Sequence, residues 1–467
     1  MRKTLHIIIL TLCAAAASLL AAVSEFRLDQ NRLWLTVQDL PLAQLLEYFA
    51  DADIDVQIDP AAKKIITGSF NDADMEQALD KLLSPYSYLL DWQRESGPLG
   101  DRIRLTGIRV FRDGYASTVQ PLRNIRRIET SFDGRSRFLA REILIGFKSA
   151  ASAETLRAFL ARTGGTVIAV NAELGIYRIL LPEGTNILDL VAQLGNEPLI
   201  ASAEPNYMYD IPGMKKPVTR IASGTASWNP ASGDKSIAVA ILDTGLTSDA
   251  QLGKAVIGSF DATNPDAPLT ADAVGHGTLM AQIAAGLLDP YNAPVGEGVH
   301  VVAIKAFADD GSADAFTLMN AMTYAVKQGT GPISLSWGSE TPSRFIETTV
   351  QYAMNNGRPV YAAVGNENTG RPMYPAAYPG VVGVAASDGH KLADYSNRGD
   401  FVDIIAPGSA GGAKGTSVAT AYVAHIDALY RQIHPKATAG EASAAIIKAA
   451  GPDRILTEDA VKRLLAR

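Results

Sequence analysis

Four short motifs in the C-terminal half of the chain carry residue types suited to acyl-transfer chemistry. The first is Gly415-Thr416-Ser417-Val418-Ala419, a glycine-introduced serine at the head of an apolar, alanine-rich run. Ser417 to Tyr430 has helical periodicity and no proline, which predicts a buried helix with Ser417 at or near its N-terminus. Glycines 411, 412 and 415 let the backbone turn tightly before it and let a substrate carbonyl come close. There a serine hydroxyl and its own N–H point into the same cleft, where helix dipole and N–H stabilise charge developing on a substrate oxygen.

The other three motifs supply what such a serine lacks. Ile237 to Leu242 is a fully apolar strand ending in Asp243-Thr244-Gly245. A carboxylate at that point must be paired or hydrogen-bonded, and the carboxyl ends of parallel strands are where open α/β sheets place their sites. Thirty-three residues on (276 minus 243), Gly275-His276-Gly277-Thr278 opens a helical stretch, with glycines that allow close approach to other backbone. Val360 to Val364 reads as a short strand ending in Gly365-Asn366-Glu367-Asn368, and the Asn366 amide is a suitable second donor to an oxyanion. Taken singly, each motif also fits a structural role: an N-cap serine, a strand-end turn, a core histidine, a Gly-Asn turn. The remaining histidines (6, 300, 390, 425 and 434) have no comparable setting, which leaves His276 as the base.

The order Asp243, His276, Asn366, Ser417 is that of the subtilisin-type triad with its oxyanion asparagine. The region resembles the subtilisin-like serine protease family throughout, in "AILDTG", "GHGT", "ISLSWGS", "AAVGNENTG", "YPAAYPGVVGVAAS" and "APGSAGGAKGTSVATAYVAH". The resemblance implies an α/β catalytic domain over 235–467, a mostly parallel sheet flanked by helices. It also implies an Asp243–His276–Ser417 triad with Asn366 in the oxyanion hole. Ser336-Trp337-Gly338 and the segment containing Gly311 match the strands that pair with an extended polypeptide substrate. Three departures stand out. Ala421 replaces the family's usual proline, and Glu367-Asn368 stands where a small residue and glycine are common, so a carboxylate pointing inward would weaken the hole. The domain is also short for the family. Asp249, Asp261 and Asp266 lack calcium-loop spacing, so neither metal nor cofactor is expected.

The elements before the catalytic region divide into modules. Residues 1–24, with Arg2, Lys3, the apolar run Leu5 to Leu20 and Ala22-Val23-Ser24, read as a signal peptide, and no later segment is long and apolar enough to span a bilayer. The sole cysteine, Cys13, would leave with that segment, so an exported mature protein would have no thiol chemistry. Residues 25–110 alternate strands and helices, and their pattern resembles the short N-terminal domain of secretins and TonB-dependent receptors. That implies binding or docking to an envelope protein, while a spacer domain with no partner fits the same pattern. Residues 111–138, arginine-rich, are expected to be a linker. Residues 139–210 predict a β-α-β-β-α-β, ferredoxin-like module resembling a subtilase inhibitory propeptide, including its closing Ala203-Glu204-Pro205-Asn206-Tyr207. Residues 211–234, with Pro212, Pro217 and Pro230, are expected to be a cleavable connection.

The net charge of −7 argues against nucleic acid as a partner. Two readings follow. One is an exported serine endopeptidase, periplasmic or extracellular, made as a self-processing zymogen. The other is a catalytically silent scaffold that docks through its N-terminal domain.

Overall fold

The computed structural model describes residues 22–466 except 30–31, 52–53, 98–99, 123–127, 149–152, 183, 212–236, 248–251, 266–271, 273 and 292–298. Residues 1–21 of the expected targeting segment, and nearly all of the expected 211–234 connection, lie outside the described residues. The chain forms two compact units, 1–127 and 128–467.

The first unit runs β1 (Ala22–Asp29), β2 (Arg32–Pro41), α1 (Leu42–Asp51), β3 (Asp55–Ile58), β4 (Ile65–Asp74), α2 (Met75–Leu83), β5 (Ser87–Gly97), β6 (Gly100–Phe111) and β7 (Gln120–Pro121). Its strands make two sheets, β1-β2-β4 and β5-β6-β3-β7. Asp74 caps α2 by accepting the Gln77 N–H, as its place before the apolar run predicts. The apolar stretch 86–92 falls in the first arm of a long hairpin with β6, and the stretch 111–138, expected to be a linker, is more than that. It supplies β7, which pairs with β3, and also the first strand of the second unit.

That unit begins β8 (Ile128–Thr130), β9 (Arg137–Phe147), α3 (Ala153–Thr163), β10 (Thr166–Asn171), β11 (Ile176–Leu180), α4 (Ile187–Leu194) and β12 (Ile200–Asp210). From β9 onward this is the β-α-β-β-α-β order expected, with the first and last strands, β9 and β12, longer than the apolar runs alone predict. There follow β13 (Ala238–Asp243), β14 (Val256–Asp261), α5 (His276–Ala284), β15 (His300–Lys305), β16 (Ser312–Asp314), α6 (Ala315–Lys327), β17 (Ile333–Leu335) and α7 (Arg344–Asn355). The chain closes with β18 (Val360–Ala363), β19 (Val382–Asp388), β20 (Lys391–Leu392), β21 (Ile404–Pro407), β22 (Ser409–Ala410), β23 (Ala413–Lys414), α8 (Thr416–Ile433), α9 (Ala439–Ala449) and α10 (Glu458–Leu465).

The large sheet has the order β14-β15-β13-β17-β18-β19-β20, with β21 beside β19, and is parallel except at β20. Every residue of β13 is buried, because successive side chains enter two different cores. Ala238, Ala240 and Leu242 face the core under α6 and α7, while Val239 and Ile241 face that of α5 and α8. Helix α8 is buried along its length to Leu429, which accounts for its apolar residues on all sides. Tyr209 and Ile211 of the β12 segment belong to the core under α6 and α7, so the small sheet and the large one share an interior.

Candidate active site

All four motif residues fall at the carboxyl edge of the parallel sheet. Asp243 ends β13, Asn366 follows β18, His276 is the first residue of α5, and Ser417 is the second of α8. Helices α5 and α8 pack side by side in the same sense. A Cβ at Gly411 would meet Leu279 near the start of α5, while His425 Nδ1 lies 2.9 Å from the Ala284 carbonyl at its end, so the two helix starts share one end of the layer.

His276 Nδ1 lies 2.8 Å from Asp243 Oδ1. That oxygen also accepts the Thr244 N–H at 2.8 Å and the Thr244 hydroxyl at 3.3 Å. Thr244 Oγ1 in turn accepts the Gly277 N–H at 2.8 Å, which fixes the start of α5 on the aspartate turn. A Cβ at Gly277 would stand 2.5 Å from the Gly245 carbonyl oxygen, so the close approach that the flanking glycine predicts is a requirement of the packing. Burial pulls the imidazole pKa down, but the charge and hydrogen bond of Asp243, joined by the charge of Asp272, raise it above the ordinary histidine value.

Asp272 carries no sequence expectation, because the N-cap position before α5 is Gly275 and Asp272 lies three residues further back. Its carboxylate accepts the N–H groups of Val274, Gly275 and Thr278 and the Thr278 hydroxyl, all within 3.0 Å. Gly275 has no side chain with which to cap α5, and Asp272 does so from three residues back.

Ser417 is buried, with 5% of its surface exposed. Asn366 Oδ1 accepts the Thr416 N–H at 2.9 Å and the Thr416 hydroxyl at 3.1 Å. An N–H only donates, so the atom facing it is the carbonyl oxygen, and the Asn366 Nδ2 hydrogens are left to face the other way. A Cβ at Gly415 would sit 3.5 Å from that nitrogen, in ordinary van der Waals contact. Glu367 does not turn into this space: its Oε2 accepts the Asn366 N–H at 2.8 Å and the Asn397 amide at 3.0 Å. Among the described residues no cluster of three or more histidine, cysteine, aspartate or glutamate side chains converges as a metal site.

The segments expected to pair with substrate are occupied by this chain's own β12. Met208, Tyr209 and Asp210 pair antiparallel with Asp314, Ala313 and Ser312, and Ile211 N–H donates to the Gly311 carbonyl at 3.1 Å. On the other side Asp210 bridges to Gly338. Tyr209 sets its ring edge-on to Trp337, 5.4 Å between centroids, and Trp337 also meets Phe307. Ser336 and Trp337 are themselves buried. Two polar residues of β12 reach the helix starts beside it. The Glu204 carboxylate accepts the Ser343 hydroxyl and the Arg344 N–H, both at 2.7 Å, at the head of α7. Asn206 accepts the Phe316 N–H at the head of α6 and donates to Asp314 and Glu142.

Comparison with known proteins matches residues 234–465 to the subtilase family and residues 130–206 to the fervidolysin N-terminal prodomain. The thermophilic serine proteinase of Bacillus sp. (strain AK1) is 29% identical over 307 residues, 62% of this chain and 75% of that protein. Thermitase from Thermoactinomyces vulgaris is 33% identical over 217 residues, 44% of this chain and 77% of the relative. Fervidolysin from Fervidobacterium pennivorans, a solved structure, superposes with a TM-score of 0.55 at 21% identity, covering 71% of this chain and 62% of that one, a likeness of fold. The two family matches cover 130–206 and 234–465, so neither reaches the first unit.

Proposed function

The chain belongs to the subtilase family, and on that footing we propose that it is an exported serine endopeptidase, made as a zymogen that processes itself. The observation that carries the catalytic reading is the 2.8 Å contact between His276 Nδ1 and Asp243, with Ser417 at the head of the helix packed against that of His276. Nδ1 is committed to Asp243, so Nε2 is the nitrogen that takes the Ser417 proton as Oγ attacks the scissile carbonyl. The tetrahedral oxyanion is held by Asn366 Nδ2 and the Ser417 N–H. Nε2 then gives its proton to the leaving amine, and water releases the acyl group by the same steps in reverse order. Asp243 holds the ring's tautomer and stabilises its charged form.

The zymogen reading is supported by β12, which fills the groove between Gly311–Asp314 and Gly338 by main-chain pairing and places Tyr209 against Trp337. A polypeptide substrate would enter by the same pairing, with an aromatic residue suited to the Trp337 pocket. Cleavage between residues 207 and 234 would free the groove. Export is supported by the composition of residues 1–24. Neither family match reaches residues 25–110, so the expected likeness to secretin and TonB-receptor short domains, with its docking to an envelope protein, gains no support.

The test is intact mass and N-terminal sequencing of the wild type beside its Ser417→Ala variant. A wild type cut within 207–234 and an uncut variant bear out self-processing. Identical cutting in both overturns it.

A further inference from the structure

Lys305 is a lysine with 2% of its surface exposed, at the carboxyl end of β15, where its Cα is the ladder partner of Asp243 on one side and Asp261 on the other. Burying an ammonium is unfavourable unless its charge is paired and its hydrogens are bonded. A leucine or methionine would fill the same space without that cost, so the charge calls for an explanation. Its stem lies against the aspartate turn: a Cβ at Gly245 would sit 3.4 Å from Lys305 Cβ. Nζ donates to the Thr244 carbonyl at 3.0 Å and to Asp309 Oδ1 at 2.9 Å.

Those two acceptors belong to different parts of the site. Thr244 holds the Asp243 carboxylate through its N–H and hydroxyl, and it receives the Gly277 N–H beside His276. Asp309 stands at the head of the rim on which a chain pairs. Ala308 N–H donates to the Ser312 carbonyl and Gly311 N–H to the Ala308 carbonyl, closing the turn whose Gly311 carbonyl receives Ile211. Asp309 is 67% exposed on its side chain and needs no lysine for its own solvation.

We propose that Lys305 is a positioning residue that couples occupancy of the Gly311–Asp314 rim to the geometry of the Asp243–His276 pair. The linkage runs from rim to Asp309 carboxylate, to the ammonium, to the Thr244 carbonyl, and so to the turn that orients both members of the pair. A peptide long enough to pair with the rim then gains in kcat as well as in KM, because remote binding energy is spent on alignment at the reacting centre. The charged groups around this linkage are Asp243, Asp261, Asp272, Asp309 and His276. The proposal rests on the endopeptidase reading.

The experiment uses the self-processed protein and peptide anilides with two to five residues before the scissile bond. Every enzyme is first titrated with a fluorophosphonate, which reports the folded, active fraction. In the wild type, kcat is expected to rise tenfold or more once the peptide reaches the rim. In Lys305→Met and in Asp309→Ala the rise is expected to shrink below threefold while KM still falls with length, and Lys305→Arg restores part of it. Asp309 is exposed, so its variant decides the matter if Lys305→Met does not fold. A tenfold rise retained in either variant overturns the coupling. A wild type that titrates but shows a flat kcat overturns it too, leaving the endopeptidase reading intact. A wild type that neither titrates nor cleaves removes both.

Discussion

His276 Nδ1 and Asp243 Oδ1 stand 2.8 Å apart, at an oxygen that also takes both hydrogen bonds of Thr244. The imidazole acts as a base only when neutral. With its pKa raised, kcat/KM falls on the acid side with a midpoint above the ordinary histidine value of about 6.5. Asp272 is one of the charges that raise it, so Asp272→Asn moves the midpoint to lower pH. A pH profile of kcat/KM checks both directions. An Asp272→Asn midpoint above that of the wild type contradicts the assignment. Asp243→Asn, which presents the wrong hydrogen-bonding group to Nδ1, lowers kcat by about 10⁴.

Asn366→Leu removes the amide donor while the Thr416 N–H loses its acceptor. A fall in kcat of about 10²–10³ with KM little changed is expected, the magnitude established for the equivalent donor of subtilisin. Steady-state kinetics decides. A loss confined to KM would place Asn366 in ground-state binding.

Gly277→Ala puts a methyl 2.5 Å from the Gly245 carbonyl oxygen and 2.8 Å from its nitrogen, both backbone atoms that cannot swing aside. The start of α5 must shift, at a cost of about 1–3 kcal/mol in stability with loss of catalysis in addition. Gly275→Ala has open space for its Cβ but a positive φ of 84°, so its strain is conformational. Denaturant unfolding in a Ser417→Ala background, which excludes self-cleavage, measures each.

Glu204 ties β12 to the head of α7, and burial raises its pKa against the opposing Ser343, Arg344 and Phe345 hydrogen bonds. A carboxyl raised on folding favours the folded state when protonated. Its contribution is complete below the ordinary glutamate value of about 4.3 and is lost as pH rises through the folded value. In full-length Ser417→Ala protein, the Tm advantage of Glu204 over Glu204→Gln therefore shrinks as pH rises across that window. An advantage that grows with pH contradicts the burial argument.

Much of the frame was legible because glycine and proline punctuate it: apolar β13 before Asp243, the helix opened at Gly275, the run after Gly415. The ferredoxin-like order from β9 to β12 was readable for the same reason, as short apolar runs between turn residues. What stayed hidden depends on partners distant in sequence. Nothing local in Tyr207 to Asp210 says that β12 continues into another sheet, and β6 has too many polar residues to announce itself before β5 pairs with it. Asp272 and Lys305 escaped notice because a lone charged residue reads as surface until the fold buries it. The inward turn considered for Glu367 fails because Asn397, thirty residues away (397 minus 367), draws the carboxylate back.

Labelling with a fluorophosphonate, followed by intact and peptide mass measurement, tests whether Ser417 is the nucleophile. One adduct per processed wild-type molecule is expected, on the peptide that contains Ser417, and none in Ser417→Ala or in protein whose groove still holds β12. An adduct elsewhere, or equal labelling of the Ser417→Ala variant, would contradict it.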